Sequence, residues 1–256
     1  MAAIVHQFMC LDDNFGVLMH DSATGATASI DVPEAGPVLN ALSEKGWTLT
    51  HILVTHHHKD HIGGMDEVRT RFPDVTIIAP APDKARVPGA DVYLAEGEEV
   101  AVGSLRGKVI ETPGHTSGHI VYHFAKEKLL FAGDTLFAMG CGRAFERPAQ
   151  VLHDSVMKLA ALPDDTEIYC GHEYTLSNGR FALRVDPENE ALKLRVAQVE
   201  KLRAAGEATL PTTIALEKKT NPFFRANDPS VQQTLGMTGA APADVFAELR
   251  ERKNKG

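Results

Sequence analysis

Short apolar runs alternate with turns and a few helical segments over the first two thirds of the chain. Four runs predict strands, at residues 49–55, 108–112, 128–133 and 167–171. Each predicted strand ends beside a polar cluster that contains a histidine or an aspartate. The pattern contains no low-complexity segment and no repeat with a solenoid period, so it predicts one layered α/β domain.

The pattern changes after about residue 175, where apolar residues recur at helical spacing from Leu192 to Leu202 in a segment opened by Asp186 and Pro187. A second helix is predicted from Pro242 to the end of the chain. Between them, residues 221–225 (N-P-F-F-R) predict a turn whose two aromatic rings anchor the helical part to the sheet part. We therefore predict a catalytic domain over residues 1–174 and a helical domain over residues 175–256.

Composition limits the classes of protein to consider. With 256 residues, 43% of them apolar, the chain can bury a large core. Residues 1–20 lack lysine and arginine, unlike a secretory signal, and no apolar run is long enough to span a bilayer, so we expect a soluble, cytoplasmic protein. Three scattered cysteines, Cys10, Cys141 and Cys170, predict free thiols. A formal net charge of -8 argues against nucleic acid as a partner.

The candidate chemistry begins in residues 55–61, T-H-H-H-K-D-H, directly after a predicted strand. Imidazole and carboxylate groups bind zinc, iron and manganese, and His56 and His58, separated by one residue, can face one pocket from a turn. Asp60 and His61 can face a second position nearby. The spacing therefore predicts two metal ions, although any single histidine here could equally be structural.

Three further strand ends carry residues of the same type. His115 follows a strand and a Pro-Gly turn, Asp134 ends an apolar strand, and His172 follows another strand. Because active sites of layered α/β proteins gather at strand ends, packing alone is a poor explanation for this coincidence. The chain has no G-x-S-x-G motif, and Cys141, as a buried thiol, is expected to be inert, so we expect solvent to be the nucleophile.

These motifs resemble the metallo-β-lactamase superfamily over about the first 175 residues. The resemblance implies a four-layer αββα sandwich with a smaller C-terminal helical domain. It also implies a dimetal centre in which Asp60 and Asp134 are the catalytic carboxylates and Asp134 bridges the ions. The implied ligands are His56, His58 and His115 for the first metal, and Asp60, His61 and His172 for the second. His57 lies outside both ligand sets, His119 is expected to orient a ligand, and the remaining histidines are expected to be structural: His6, His20, His51, His123 and His153.

Finer motifs resemble the glyoxalase II (hydroxyacylglutathione hydrolase) family over almost the whole chain. They are residues 55–64, 112–120, 134–143 (D-T-L-F-A-M-G-C-G-R) and 171–175 (G-H-E-Y-T), together with the helical tail. The resemblance implies that a metal-activated hydroxide hydrolyses S-D-lactoylglutathione, or a similar 2-hydroxyacyl thioester, to D-lactate and glutathione in methylglyoxal detoxification. It implies glutathione binding by the C-terminal domain, with Arg143, Tyr174, Arg250 and Lys253 contacting the substrate. Phe145 and Arg147 depart from the family pattern, which puts one substrate hydrogen bond in doubt.

Several alternatives stay open at this point. The chain could be another hydrolase of the superfamily, a mononuclear-iron persulfide dioxygenase, or a metal-binding scaffold without turnover; a β-lactamase fits less well without an export signal. Without the family resemblance, the charged residues 248–255 predict a solvated helix face. Zinc is the expected metal, with iron or manganese possible from the same ligands. We expect a monomer, and a dimer stays open.

Overall fold

The computed structural model describes residues 3–256, which form two compact units. Of the described residues, the first unit comprises 3–111 and Gly118–Gly133, and the second comprises Thr112–Ser117 and Asp134–Gly256. These units are groups of residues in mutual contact and do not test the predicted domain boundary at residue 174, which stays a prediction.

A mixed sheet forms the larger part of the first unit. Its six strands lie in chain order, with the first three antiparallel and the next three joined in parallel. These strands are β1 (Ala3–Cys10), β2 (Asn14–Asp21), β3 (Thr27–Ile30), β4 (His51–Leu53), β5 (Thr76–Pro80) and β6 (Val92–Leu94). Helices α1 (Ala35–Lys45), α2 (Lys59–Ile62) and α3 (Met65–Arg71) connect them. Apolar side chains of α1, α3, β4 and β5 share one buried cluster, as parallel strands with crossover helices require.

Four antiparallel strands complete the first unit. They are β7 (Glu99–Val102), β8 (Leu105–Glu111), β9 (Ile120–Phe124) and β10 (Leu129–Gly133), each paired with the next along the chain. The buried Tyr122 hydroxyl on β9 donates to the Val54 carbonyl at 2.7 Å, and the Ile120 amide donates to the Thr55 carbonyl at 3.0 Å. These bonds hold the backbone just before the histidine-rich segment.

The second unit is mostly helical. Its strands pair as two short antiparallel ladders, β11 (Leu136–Phe137) with β12 (Gly140–Cys141) and β13 (Glu167–Cys170) with β14 (Thr212–Thr213). The helices are α4 (Ala149–Ala160), α5 (Thr175–Val185), α6 (Glu190–Ala204), α7 (Ile214–Thr220), α8 (Pro229–Leu235) and α9 (Pro242–Lys255). The Asn221 amide donates to the Gly140 carbonyl at 2.9 Å, so the predicted turn at 221–225 contacts the β11–β12 hairpin. Its Phe223 ring packs against Phe246 on α9.

The four predicted strands are confirmed as β4, β8, β10 and β13, with some different bounds. β4 ends at Leu53 and not at residue 55, because the Thr55 amide donates to the Asp31 carboxylate and leaves the ladder. The predicted helix opened by Asp186 begins only at Glu190, since Asn189 is its N-cap and accepts from the Leu192 amide at 3.1 Å. The helix predicted from Pro242 is confirmed as α9, whereas α4, α5, α7 and α8 were not individually predicted.

The three cysteines are buried free thiols, as predicted. Among the residues that the structure describes, none of the helices has the length and apolar character needed to cross a membrane.

Candidate metal centre

Three imidazole rings of the first unit lie together just after β4. The His56 ring centroid is 4.7 Å from that of His58 and 4.1 Å from that of His61. The loop leads into α2, a single helical turn that carries both Asp60 and His61. Asp60 Oδ2 lies 3.7 Å from His61 Nε2. The first unit therefore brings all four of its predicted ligands into one loop and one helical turn.

A buried carboxylate, Asp31, fixes the orientation of two of these rings. It accepts from His61 Nδ1 at 2.8 Å and from the Thr55 hydroxyl at 2.8 Å. Because the Thr55 hydroxyl donates to Asp31, its oxygen accepts from His56 Nδ1 at 3.0 Å. Both imidazoles thus carry their proton on Nδ1, which leaves the Nε2 lone pair as the metal-binding group.

The sequence did not single out Asp31, although a signal was present, since it directly follows strand β3 just as Asp134 directly follows β10. One Asp31 carboxylate oxygen, one ring nitrogen of His56 and one ring nitrogen of His61 all lie within 4.8 Å of one another. Its bonds to Thr55 and His61 identify it as a group that orients ligands. A backbone φ of +55° at this non-glycine residue is unusual, as expected where surrounding contacts fix a conformation.

Asp60 is also held by a residue that the sequence did not single out. The buried Asn14 amide donates to the Asp60 backbone carbonyl at 3.0 Å and to its Oδ2 at 3.2 Å. Because Asn14, at the start of β2, bonds both the backbone and the side chain of Asp60, it limits the rotation of the Asp60 carboxylate.

His119, expected to orient a ligand, stacks on His56 with ring centroids 4.8 Å apart.

The second unit brings its three predicted ligands to one carboxylate oxygen. Asp134 Oδ2 lies 3.5 Å from His115 Nε2 and 3.3 Å from His172 Nε2, and all three side chains are buried. His115 Nδ1 donates to the Arg143 carbonyl at 3.0 Å, which again leaves Nε2 as the lone-pair nitrogen. The His172 ring stacks on Tyr174 at 4.7 Å with an interplanar angle of 4°.

The cationic residues of the predicted substrate site lie in the second unit too, but they differ in exposure. Arg143 is exposed, whereas Arg250 is only 5% exposed. The Arg250 guanidinium donates to the Cys141 carbonyl at 2.8 Å and lies over the Phe223 ring at 5.3 Å. The alternative of a solvated face for residues 248–255 is therefore wrong at Arg250, because tertiary packing covers this part of α9.

Lys253, one turn further along α9, keeps a partly exposed ammonium. Its Nζ donates to the Ser177 carbonyl at 3.1 Å and to the Ser177 hydroxyl at 2.9 Å. Burial, followed by the positive charges of Arg250, Arg184 and Arg143, lowers the pKa of Lys253 to about 8. Four cationic groups near one position favour an anionic ligand, which would relieve their mutual repulsion.

The two departures from the family pattern are both on the surface. Phe145 is 61% exposed, and its ring tilts against His115 at 5.3 Å. Arg147 is exposed as well, and between them Glu146 accepts from the Ser117 amide at 2.6 Å.

Burial raises the pKa of the Cys141 thiol to about 11, which agrees with the expected inert role of this cysteine.

The donor groups of both units fit divalent metal ions. Three imidazoles have Nδ1 bonded to an acceptor, so each presents Nε2, and the carboxylates of Asp60 and Asp134 supply negative charge beside them. Nitrogen and carboxylate donors of this kind suit zinc, iron and manganese alike. The donor chemistry therefore indicates divalent-metal binding without selecting the metal.

Two family models together match most of the chain. The model described as "Metallo-beta-lactamase superfamily" matches residues 12–172, and the one described as "Hydroxyacylglutathione hydrolase C-terminus" matches residues 173–256. Among curated relatives, the hydroxyacylglutathione hydrolase of Rhodopseudomonas palustris (strain BisA53) is 54% identical over 255 residues, and that of Nitrobacter hamburgensis is 55% identical over 255 residues. Each alignment covers 100% of both chains.

Solved structures agree on the fold. The crystal structure of ETHE1 from Myxococcus xanthus superposes with a TM-score of 0.71 at 29% identity, covering 98% of this chain and 91% of that one. The BLEG-1 B3 metallo-β-lactamase has a TM-score of 0.65 at 23% identity, covers 86% of this chain and 99% of its own, and supports the fold alone. The predicted fold class, a metallo-β-lactamase α/β fold with a C-terminal helical region, is confirmed, and the chain belongs to the hydroxyacylglutathione hydrolase family of the metallo-β-lactamase superfamily.

Proposed function

We propose that this protein hydrolyses the thioester bond of S-(2-hydroxyacyl)glutathione, such as S-D-lactoylglutathione, to a 2-hydroxy acid and glutathione. The observation that carries the proposal is 54% identity, over the whole of both chains, to a relative named hydroxyacylglutathione hydrolase. The fit of both sets of donor groups to divalent metals supports it. Hydrolysis of S-D-lactoylglutathione to D-lactate would be the second step of methylglyoxal detoxification.

The proposed cofactor is a pair of divalent ions, zinc in the first instance. Following the family resemblance, His56, His58 and His115 would hold one ion, Asp60, His61 and His172 the other, and Asp134 both. When bound, such ions supply Lewis acidity and lower the pKa of water to near neutrality. Asp60 and Asp134 would offset part of the metal charge as the catalytic carboxylates.

Other side chains of the protein would keep these ligands in place. Asp31 fixes the Nδ1 proton of His61 and, through the Thr55 hydroxyl, that of His56. Asn14 restrains the Asp60 carboxylate in the same unit. Groups that are oriented before the ion arrives need less reordering when it binds, which raises metal affinity.

Recognition of glutathione is proposed to use the cationic residues of the second unit together with Tyr174. Lys253 and Arg143 offer charges to glutathione carboxylates, and Tyr174 offers a hydroxyl. Arg250 would contribute mainly by holding the Cys141 carbonyl, two residues before Arg143. A cytoplasmic, monomeric protein without nucleic-acid or membrane partners remains our prediction.

A hydrolysis assay combined with metal analysis tests the proposal. Purified protein should hold two divalent ions per chain and consume S-D-lactoylglutathione, with release of one thiol per thioester bond broken. A small thioester without the glutathione peptide is the matched control and should react much more slowly. One iron per chain with oxygen uptake would support the dioxygenase instead, and bound metal without turnover would support the scaffold.

A further inference from the structure

A second polar cluster lies beside the histidine-rich loop of the first unit. Its centre is Asp83, whose side chain is 0% exposed and ends the 3₁₀ turn Ala81–Asp83 that follows β5. Asp83 Oδ2 accepts from His57 Nδ1 at 3.0 Å, and Asp83 Oδ1 accepts from Arg86 Nε at 3.1 Å and also from Arg86 Nη2. A buried carboxylate is costly unless it is paired and hydrogen-bonded, and these contacts provide both.

The contacts among these three side chains close a triangle. Arg86 Nη1 lies 3.5 Å from His57 Nε2, at the limit of a hydrogen bond that it would donate. His57 therefore accepts on Nε2 and donates from Nδ1, so both ring nitrogens point at this cluster. Since His57 stands between two proposed ligands, His56 and His58, holding its ring restricts the backbone on both sides.

The same carboxylate contacts a second segment of the site. A Cβ built on Gly118 would overlap Asp83 Oδ1, so the glycine lets the 118–119 backbone lie directly against the carboxylate. His119, the next residue, stacks on His56. Asp83 thus touches both segments that surround His56, one through the His57 ring and one through Gly118.

We infer that Asp83 is a positioning residue that, together with Arg86, holds the histidine-rich loop in its metal-binding conformation through His57. The inference rests on the proposed metal centre. Residues outside the ligand set that orient ligands typically change metal affinity by about 10–100-fold when replaced. Because Asp83 acts through His57, which is not a proposed ligand, we expect the lower end, about tenfold weaker binding in Asp83→Asn.

The experiment measures metal affinity by competition with a chromogenic zinc chelator, using full-length apoprotein and added Zn²⁺. Asp83→Asn is compared with Asp21→Asn, a matched control that removes another buried carboxylate of the first unit. Asp21 accepts from the Thr24 hydroxyl and the Ser104 amide, so its loss disturbs a different turn. Asp83→Asn should weaken Zn²⁺ binding about tenfold, whereas Asp21→Asn should lower the melting temperature of the apoprotein with near-normal affinity.

A second measurement follows the loop without metal. Hydrogen exchange of the apoprotein should be faster over residues 55–61 in Asp83→Asn than in Asp21→Asn. If Asp83→Asn fails to fold, Arg86→Gln replaces it, since the Arg86 side chain is about a third exposed and tolerates truncation better. If the wild-type protein binds metal, unchanged affinity and unchanged exchange in Asp83→Asn, or in Arg86→Gln where it is used instead, would overturn this inference and leave the proposed centre intact. Wild-type protein that binds no divalent ion would instead overturn the proposed centre.

Discussion

Arg250 is the residue for which the structure most changes the expected effect of a substitution. From the family resemblance, Arg250→Ala should remove one exposed contact to a glutathione carboxylate. The structure instead buries its guanidinium, bonds it to the Cys141 carbonyl and covers it with the Phe223 ring. We therefore predict that Arg250→Ala lowers both the stability of the fold and the rate of turnover.

The size of the effect follows from the contacts that are lost. A hydrogen bond from a charged donor contributes about 1.5–3 kcal/mol, and the loss of packing against Phe223 adds to it. Relief of repulsion with Lys253 offsets part of this, so we expect destabilisation of about 2–3 kcal/mol. At roughly 2–4 °C per kcal/mol for a chain of this size, the melting temperature should fall by about 4–12 °C.

Turnover should fall because Arg250 is coupled to a proposed ligand through the backbone. The Cys141 carbonyl that Arg250 holds lies two residues before Arg143, whose carbonyl accepts from His115 Nδ1. Loosening this segment frees the His115 ring, so kcat should decrease along with substrate affinity. A remote clamp on glutathione would raise KM with kcat almost unchanged.

Thermal unfolding and steady-state kinetics with S-D-lactoylglutathione test this prediction. Lys255→Ala is the matched control, because Lys255 lies on the same helix and is exposed, where it pairs with Glu251 at 3.0 Å. Exposed pairs contribute about 0–1 kcal/mol, so the control should change the melting temperature little. The reasoning fails if Arg250→Ala melts like the control and changes KM alone.

Four further predictions concern charge and metal. KM should rise as pH increases through about 8, where Lys253 loses its proton, and Lys253→Arg should abolish this rise; pH profiles of both proteins measure it. Burial and the neighbouring arginines lower the folded-state pKa of Lys253 below 10.5. Its positive charge therefore destabilises the folded state below about pH 8, and this destabilisation is lost towards pH 10.5. The free energy of unfolding should therefore rise over that window relative to Lys253→Met, and urea titrations at each pH would contradict this if the two proteins changed in parallel. Asp134→Ala should lose both metal and turnover. Asp164→Ala, which removes an exposed pair with Lys218, should keep both. Two bound ions and near-normal turnover in Asp134→Ala would remove Asp134 from the centre. Chelation should abolish turnover and lower the melting temperature, because an ion that binds the folded state adds stability by mass action, while far-UV circular dichroism should change little if the ligands are held without metal.

The sequence predicted the strand ends and their ligand-type residues because both depend on local patterns. Apolar runs followed by histidine or aspartate mark where strands stop, and β4, β8, β10 and β13 all stop near the predicted positions. Helix α5 escaped prediction because it begins at Thr175, the last residue of the G-H-E-Y-T motif, without a capping side chain that bonds its first turn. Local signals of this kind are therefore a good guide to elements and a poorer guide to their bounds.

The groups that orient the ligands could not be found in the same way. Asn14 reaches Asp60 across 46 positions and Asp31 reaches His61 across 30, and in one sequence such pairs carry no spacing signal. The burial of Arg250 could not be predicted for the same reason, because the sequence pattern of a charged helical residue is the same whether its side chain faces water or a buried carbonyl. Tertiary contacts decide both questions.

The anchors of the three oriented imidazoles have a common chemistry. His61 is held by a carboxylate, His56 by a hydroxyl oxygen and His115 by a backbone carbonyl, and each anchor accepts the Nδ1 proton. An acceptor at Nδ1 raises the basicity of Nε2 and fixes the plane of the ring, so these bonds set both the strength and the direction of the metal ligand. Because each anchor comes from a different part of its unit, ligand geometry depends on the folded units as a whole and not on the histidine motif alone.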